Sequence, residues 1–169
     1  MFINRKARLG YVKPANQTVN INGGKVSETI GLYSLTNECV YVSPGQSIQS
    51  AIDAATNGQT VILNDGTFTI TSTIQFAKPI TVRSLNGYSS VSISANNAAI
   101  ECVSITQSNA VLDGVTLTGT DRGSSLERGA LVCAPGLVLN SRLYNNRARS
   151  GAGAWCGNGA RLINCLVDG

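Results

Sequence analysis

A short phrase returns three times near the end of this chain: AVLDGVTLTG (110–119), GLVLNSRLYN (136–145) and ARLINCLVDG (160–169). Aligned without gaps, Leu112, Val138 and Leu162 share one column, and Leu117, Leu143 and Val167 share another. Gly114, Asn140 and Asn164 form a third, and Val115, Ser141 and Cys165 a fourth. The copies are offset by 26 and then 24 residues. A repeat this short cannot bury its apolar side alone, so it must stack on its neighbours, and the period predicts a solenoid.

The residue types agree with stacked strands. Charged residues make up 13% of the 169 and aromatics 5%, while small, β-branched and turn residues are abundant. Such a chain is β-rich, with a surface that is polar but mostly uncharged. The net charge of +4 owes much to Arg5, Lys6 and Arg8, which have no aromatic stacking platform beside them. That cluster reads as a solvated terminus, so nucleic acid is not expected as a partner. No run of about 18 apolar residues occurs, so no membrane insertion by a helix is expected. Residues 1–30 hold no apolar leader segment, since MFINRKARLG runs into polar KPANQTVNINGG. The expectation is therefore a piece of a longer chain rather than an intact cytoplasmic protein.

Five cysteines and no His exclude a compact zinc site and any Ser–His or Cys–His nucleophile. Cys102, Cys133 and Cys156 close the similar openings AIEC, ALVC and GAWC, and are expected to stack in one core column as small hydrophobes. GAGAWCG is rich in Gly but leads into a strand, so it fails as a phosphate loop.

Residues 1–40 read as an extension or the tail of a preceding module, with strand-like TVNI (18–21) and ETIGLY (28–33) about the Gly23-Gly24 turn. The segment 41–169 reads as a continuous stack of coils. CVYVSPG (39–45) is a strand ending in a turn. Over 47–55, Ile48, Ala51, Ile52 and Ala55 recur three and four apart, which predicts an amphipathic helix N-capped by Ser47 and ended by Asn57-Gly58. Strands follow without a second helical period, broken by Asp65-Gly66 and Asn86-Gly87 turns. Parallel strands without helical crossovers require a coil, each strand pairing with its counterpart about 4.8 Å along the axis. Two turns are longer and more polar than the rest, TDRGSSLERG (120–129) and NNRARSGAG (145–153). Both precede equivalent strands and should project from the same side.

The run YVSPGQSIQSAIDAATNGQTVILNDGTFTITSTIQFAKPITVRSLNG resembles the opening of right-handed parallel β-helix proteins of the pectin-lyase-like superfamily. In that family a P-G-x-S-I-Q-x-A-I-x-x-A segment is the N-terminal capping helix, and a V-x-V-x-x-G-T-Y segment, here VILNDGTF, is the first coil. GAWCGNGARLINCLVDG is similar to the N-C-x-I/V coils of the same group. The resemblance covers about 41–169 and implies an all-β, right-handed parallel β-helix with a short capping helix at about 47–55. Its helix has a physical task as well, since Ile48 and Ile52 can cover the otherwise exposed edge of the first coil.

Fold alone leaves function open, because the family holds lyases, hydrolases, tailspikes and adhesins. The resemblance implies a secreted or cell-surface protein that engages a polysaccharide, with cleavage of uronate-containing polymers as its enzymatic form. The rival is a non-catalytic scaffold such as an adhesin, a surface repeat protein or a phage tailspike-like module. A uronate lyase neutralises the sugar carboxylate with Arg or Lys, often with calcium held by carboxylates. On that basis Arg122, Arg128, Arg147 and Arg149 are the candidate binders of an anionic polysaccharide, because guanidinium forks match carboxylates. Asp121 and Glu127 are the candidate calcium ligands or base partners. The family's hydrolases use N-T-D and D-D motifs, and neither occurs here. Asp113 and Asp168 fall in different columns and should not converge on one sugar. Asn140 and Asn164 are expected to form an internal or bend-lining amide ladder, and Trp155 to pack against the coil below, the alternative being that an exposed Trp155 or Tyr144 stacks on a sugar ring.

Overall fold

Along most strands alternate residues are buried, as at Val91, Ile93 and Ala95, and a coil turns these positions inward together. The computed structural model describes residues 39–169. TVNI, ETIGLY and the cluster Arg5, Lys6 and Arg8 lie outside the described residues. The first coil opens with β1 (Val40–Val42) and α1 (Ile48–Ala54), followed by β2 (Thr60–Leu63), β3 (Gly66–Thr69) and β4 (Ile74–Phe76). The next holds β5 (Thr81–Ser84), β6 (Val91–Ala98) and β7 (Val103–Ile105). A third holds β8 (Val111–Asp113), β9 (Thr116–Thr120) and β10 (Leu131–Cys133). Then come β11 (Gly136–Leu139), β12 (Arg142–Tyr144) and β13 (Ala154–Cys156), and finally β14 (Ala160–Ile163) and β15 (Leu166–Asp168).

The strands form three parallel sheets of six, five and four, ordered β1-β2-β5-β8-β11-β14, β3-β6-β9-β12-β15 and β4-β7-β10-β13. This is a parallel β-helix of about five turns. Val61, Val82, Leu112, Val138 and Leu162 stack in one column, and Phe68, Ile93, Leu117, Leu143 and Val167 in a second. Both columns expected from the repeated phrase are therefore real strand registers.

The third column differs from expectation. Cys133 pairs with Cys156 on one side and with Ile105 on the other, not with Cys102. Cys102 lies before β7, where its amide donates to the Ala130 carbonyl at 2.7 Å. A shift by an odd number of residues would turn Val103 and Ile105 outward, so burial of those two side chains selects the observed register. Cys102 is still buried, with Sγ 3.4 Å from Thr120 Oγ1.

The corner between the six- and five-stranded sheets is short and left-handed. Gly114, Asn140 and Asn164 occupy it at φ of 70°, 46° and 54°. Gly has no Cβ penalty there, and Asn tolerates the region while bonding locally. Asn164 Nδ2 donates to Asn140 Oδ1 at 2.7 Å, and Asn140 Nδ2 donates to Asp113 Oδ1 at 2.8 Å. The expected amide ladder is present, on the exposed side of the bend. One step inward, the Ser141 hydroxyl accepts from Val115 N at 3.2 Å and donates to the Leu139 carbonyl at 2.6 Å. These bonds satisfy a buried hydroxyl that would otherwise cost about 1–3 kcal/mol.

The capping helix forms as its spacing predicts, with Ile48 and Ile52 buried and the Ser47 hydroxyl accepting from Ser50 N at 3.1 Å. Two long polar side chains complete the cap. The Gln49 side-chain amide imitates a strand, accepting from Gln75 N at 2.7 Å and donating to the Gln75 carbonyl at 3.3 Å. Lys78 Nζ donates to the Asp53 and Ala55 carbonyls at 2.6 and 2.9 Å, which satisfies the helix C-terminus. The β4 edge is thereby occupied and unavailable to another strand.

Burial pushes the Cys133 thiol up to about 11, with the neighbouring Cys156 adding to the shift. The fold keeps this thiol neutral, whereas an unfolded chain ionises it near its ordinary value. Its contribution is complete below about pH 9 and is lost as the pH rises towards 11, with an order of 2 kcal/mol at stake. Urea midpoints measured from pH 8 to 10.5 should fall more steeply for the parent than for Cys133→Ala. Parallel curves would show that this thiol does not govern alkaline stability.

Candidate functional site

The five- and four-stranded sheets meet at a corner where coil length varies most. Residues 121–130 connect β9 to β10, and residues 145–153 connect β12 to β13. Counted between paired residues, the passage from Leu117 to Val132 is three longer than that from Leu143 to Trp155, and the passage from Val132 to Val138 is one shorter than that from Trp155 to Leu162, so the offsets of 26 and 24 reflect two corners and not one. Asn146 anchors the second turn to β9, accepting from Thr120 N at 3.1 Å and donating to the Leu117 carbonyl at 3.0 Å. Asp121 and Arg147 form a parallel bridge. Arg147 N donates to the Thr120 carbonyl and Arg122 N to the Arg147 carbonyl, each at 2.8 Å. Further along, Arg149 N donates to the Leu126 carbonyl at 2.9 Å and Arg128 N to the Ser150 carbonyl at 3.1 Å. The two turns are thus stacked through their own backbones along most of their length.

This stacking places the four candidate arginines on one corner, but in different states. Arg147 is open, its side chain 69% exposed, with Nη1 3.8 Å from Asp121 Oδ2. Arg149 is exposed as well. Arg128, at φ 66°, lies with its guanidinium 4.5 Å from the centre of the Trp155 ring. Arg122 instead turns back towards the coil below, where its side chain is 18% exposed and pairs with Glu101 at 3.7 Å. Its Nη1 also donates to the Ala99 carbonyl at 3.4 Å. Arg122 therefore ties the turn down, and Arg128, Arg147 and Arg149 are left to face outward.

Trp155 does not pack against the coil below. Ala154 and Cys156 occupy inward columns, so alternation turns Trp155 outward beside Val132, where it is 37% exposed. Its proximity to Arg128 was not legible in the sequence, because the two lie in different coils.

Asp121 receives Gly123 N on Oδ1 at 3.0 Å, and Glu127 is exposed on the same turn. Calcium takes six to eight oxygen ligands, and these two carboxylates supply only part of such a set. Among the described residues, no three His, Cys, Asp or Glu side chains are grouped to hold a cation. Asp113 and Asp168 lie on different sheets, in β8 and β15, and do not converge. Asp168 is instead gripped by Arg142, with Nε to Oδ1 at 3.0 Å and Nη2 to Oδ2 at 2.7 Å. The sequence held a faint signal of this pair, since both residues occupy outward positions on neighbouring copies of the phrase.

No family model and no curated protein matches the chain. Among solved structures it is similar to a PL6 family alginate lyase, AlyGC, determined as a mutant, with a TM-score of 0.58 and 15% identity. The match covers 87% of this chain and 22% of that one, so the chain spans about a fifth of the lyase's length. Identity this low speaks for architecture and not for chemistry. With its three parallel sheets, stacked apolar columns and capping helix, the chain has a parallel β-helix fold similar to the one in that lyase.

Proposed function

We propose that this chain engages an anionic, uronate-containing polysaccharide along the two stacked turns, as part of a secreted or cell-surface protein. The observation that carries this reading is the backbone stacking of 121–130 on 145–153. It fixes the backbone of Arg128, Arg147 and Arg149 side by side on one corner, so that their side chains start from neighbouring positions. Ordering a loop on binding opposes affinity, so a backbone already held in place favours it. The likeness in fold to an alginate lyase supports the same substrate class.

In the enzymatic form of this reading, Arg147 and Arg149 take the sugar carboxylate as a fork. Neutralising that carboxylate acidifies the adjacent C–H. Glu127, exposed on the same turn, takes that proton as base, the C=C bond forms as the glycosidic C–O bond breaks, and the departing oxygen is protonated by water. Asp121 keeps Arg147 in place, and Trp155 offers an apolar face beside the ridge. A non-catalytic β-helix would hold the polymer by the same contacts and leave it intact.

Titration with alginate and polygalacturonate, with and without calcium, tests both forms together. Trp155 is the one Trp of the chain and reports binding by its fluorescence. The signal should saturate and weaken with added salt. An Arg147→Ala/Arg149→Ala double variant, with an unchanged thermal midpoint, should bind about tenfold to a hundredfold more weakly, as expected for two charge-assisted contacts. Rising absorbance of unsaturated uronate product marks a lyase, and binding without it marks a scaffold. If neither polyuronate binds, or the double variant binds like the parent, the ridge is not the site.

A further inference from the structure

The outward face of the five-stranded sheet has a different chemistry from the ridge. Its outward positions form two ranks. One runs Thr67, Ser92, Thr116, Arg142 and Leu166, and the other Thr69, Ser94, Thr118, Tyr144 and Asp168. Only Arg142 and Asp168 are charged, and their bidentate pair cancels them. The pairing holds the Asp168 carboxyl below the usual carboxylate range, so both groups stay ionised and mutually satisfied at neutral pH. The face therefore carries little net field, and attraction to a charged polymer is not what it is built for.

Two aromatic rings stand exposed on this polar ground. Tyr144 is 41% exposed, with the Arg142 guanidinium 4.1 Å from its ring centre. Tyr88 is 43% exposed, and its backbone carbonyl accepts from the Thr116 hydroxyl at 2.8 Å, which fixes its loop over the sheet. The Asp168 pairing uses two of Arg142's five N–H donors, and the Asp168 oxygens keep lone pairs for further bonds. Apolar ring faces beside a rigid set of donors and acceptors suit a ligand with apolar C–H faces and equatorial hydroxyls. Hydroxyl side chains extend that set rung by rung, at about 4.8 Å per coil.

We propose that this face is a second glycan-binding surface, taking an uncharged polysaccharide chain laid along the solenoid axis. Tyr144 and Tyr88 are its platforms, and Arg142 with Asp168 is its hydrogen-bonding anchor. The surface is separate from the arginine ridge and does not depend on it. A protein with both would hold a charged and a neutral polymer at once, and so bridge two components of a mixed matrix.

Native electrophoresis in gels containing hydroxyethylcellulose, xyloglucan or galactomannan tests the proposal. The parent should be retarded by at least one of these, and the retardation should survive added salt. Tyr144→Ala should weaken it at least tenfold, whereas Tyr144→Phe, which keeps the ring, should retain it. If Tyr144→Ala lowers the thermal midpoint, Arg142→Gln serves as the variant, with the same loss expected. The Arg147→Ala/Arg149→Ala variant should be retarded like the parent, which keeps this outcome independent of the ridge. Absence of retardation by all three polymers overturns the proposal, as does equal retardation of the Tyr144→Ala protein. A sedimentation change caused by Tyr144→Ala would also overturn it, by showing the face to be a contact between copies.

Discussion

Replacing Leu117 by Ala should lower the unfolding free energy by about 3 kcal/mol, while Val167→Ala should cost well under 1 kcal/mol. The two residues share a column, so a purely local argument from the repeated phrase would treat them alike. Leu117 is fully buried between Ile93 and Leu143, whereas Val167 is 56% exposed on the last rung. Truncating Leu117 leaves a cavity between two coils, and close packing lets neither coil collapse freely into it. Truncating Val167 removes surface that is already half in water. Urea unfolding with a common slope would measure both. Equal losses would mean that the column is not the energetic axis of the solenoid.

Gly129→Ala should be at least as damaging, by about 3 kcal/mol or more, and should disable the ridge as well. A Cβ at this position would run into the carbonyl of Ala152, in the turn stacked above. That obstacle is backbone and cannot swing aside as a side chain would. The donor contacts on either side then fail together: Arg128 to Ser150, Gly129 to Gly151 at 2.9 Å and Ala130 to Ala152 at 3.0 Å. Gly123→Ala is the control. Gly123 sits at φ 60° with nothing near its missing Cβ, so the change should cost only the left-handed penalty of about 1 kcal/mol. Hydrogen exchange at Arg128, Gly129 and Ala130 reads the difference directly, as a loss of protection in Gly129→Ala alone. Retained protection there would show that the two turns are not held by this contact.

Both effects depend on how coils meet, and that marks the boundary of what could be read from residues alone. The apolar columns of β8, β11 and β14 and of β9, β12 and β15 were legible because alternation repeats within an ungapped phrase. The shared column of Gly114, Asn140 and Asn164 was legible for the same reason, though not its left-handed backbone, and the helix was legible from its three-and-four spacing. In the four-stranded sheet the signal failed. Its strands are three residues long, and AIEC, ALVC and GAWC offer a superficially good alignment in the wrong register. Only burial of Val103 and Ile105 decides against it. The same alternation, applied once the register is known, turns Trp155 outward.

The candidate arginines show the second kind of limit. Their presence on one corner followed from the position of the long turns before equivalent strands. Whether each reaches outward did not, because Arg122 is drawn to Glu101, a residue of the preceding coil. Lys78 on the helix carbonyls and Arg142 on Asp168 are contacts of the same type.

The sequence by itself determined the architecture: a stack of short parallel strands, which residues of two of the three sheets face the core, where one corner bends and which corner carries the long turns. Those properties repeat with the chain's own period, so each coil restates them. The tertiary structure alone decided which other charged and aromatic side chains meet, Arg128 on Trp155 and Arg122 on Glu101. Such pairs join neighbouring coils that lie 20 to 30 residues apart in the chain, at a distance set by turn lengths that follow no period. A pattern written once per coil specifies the inside of this solenoid, whereas its outside is specified only when the coils are stacked.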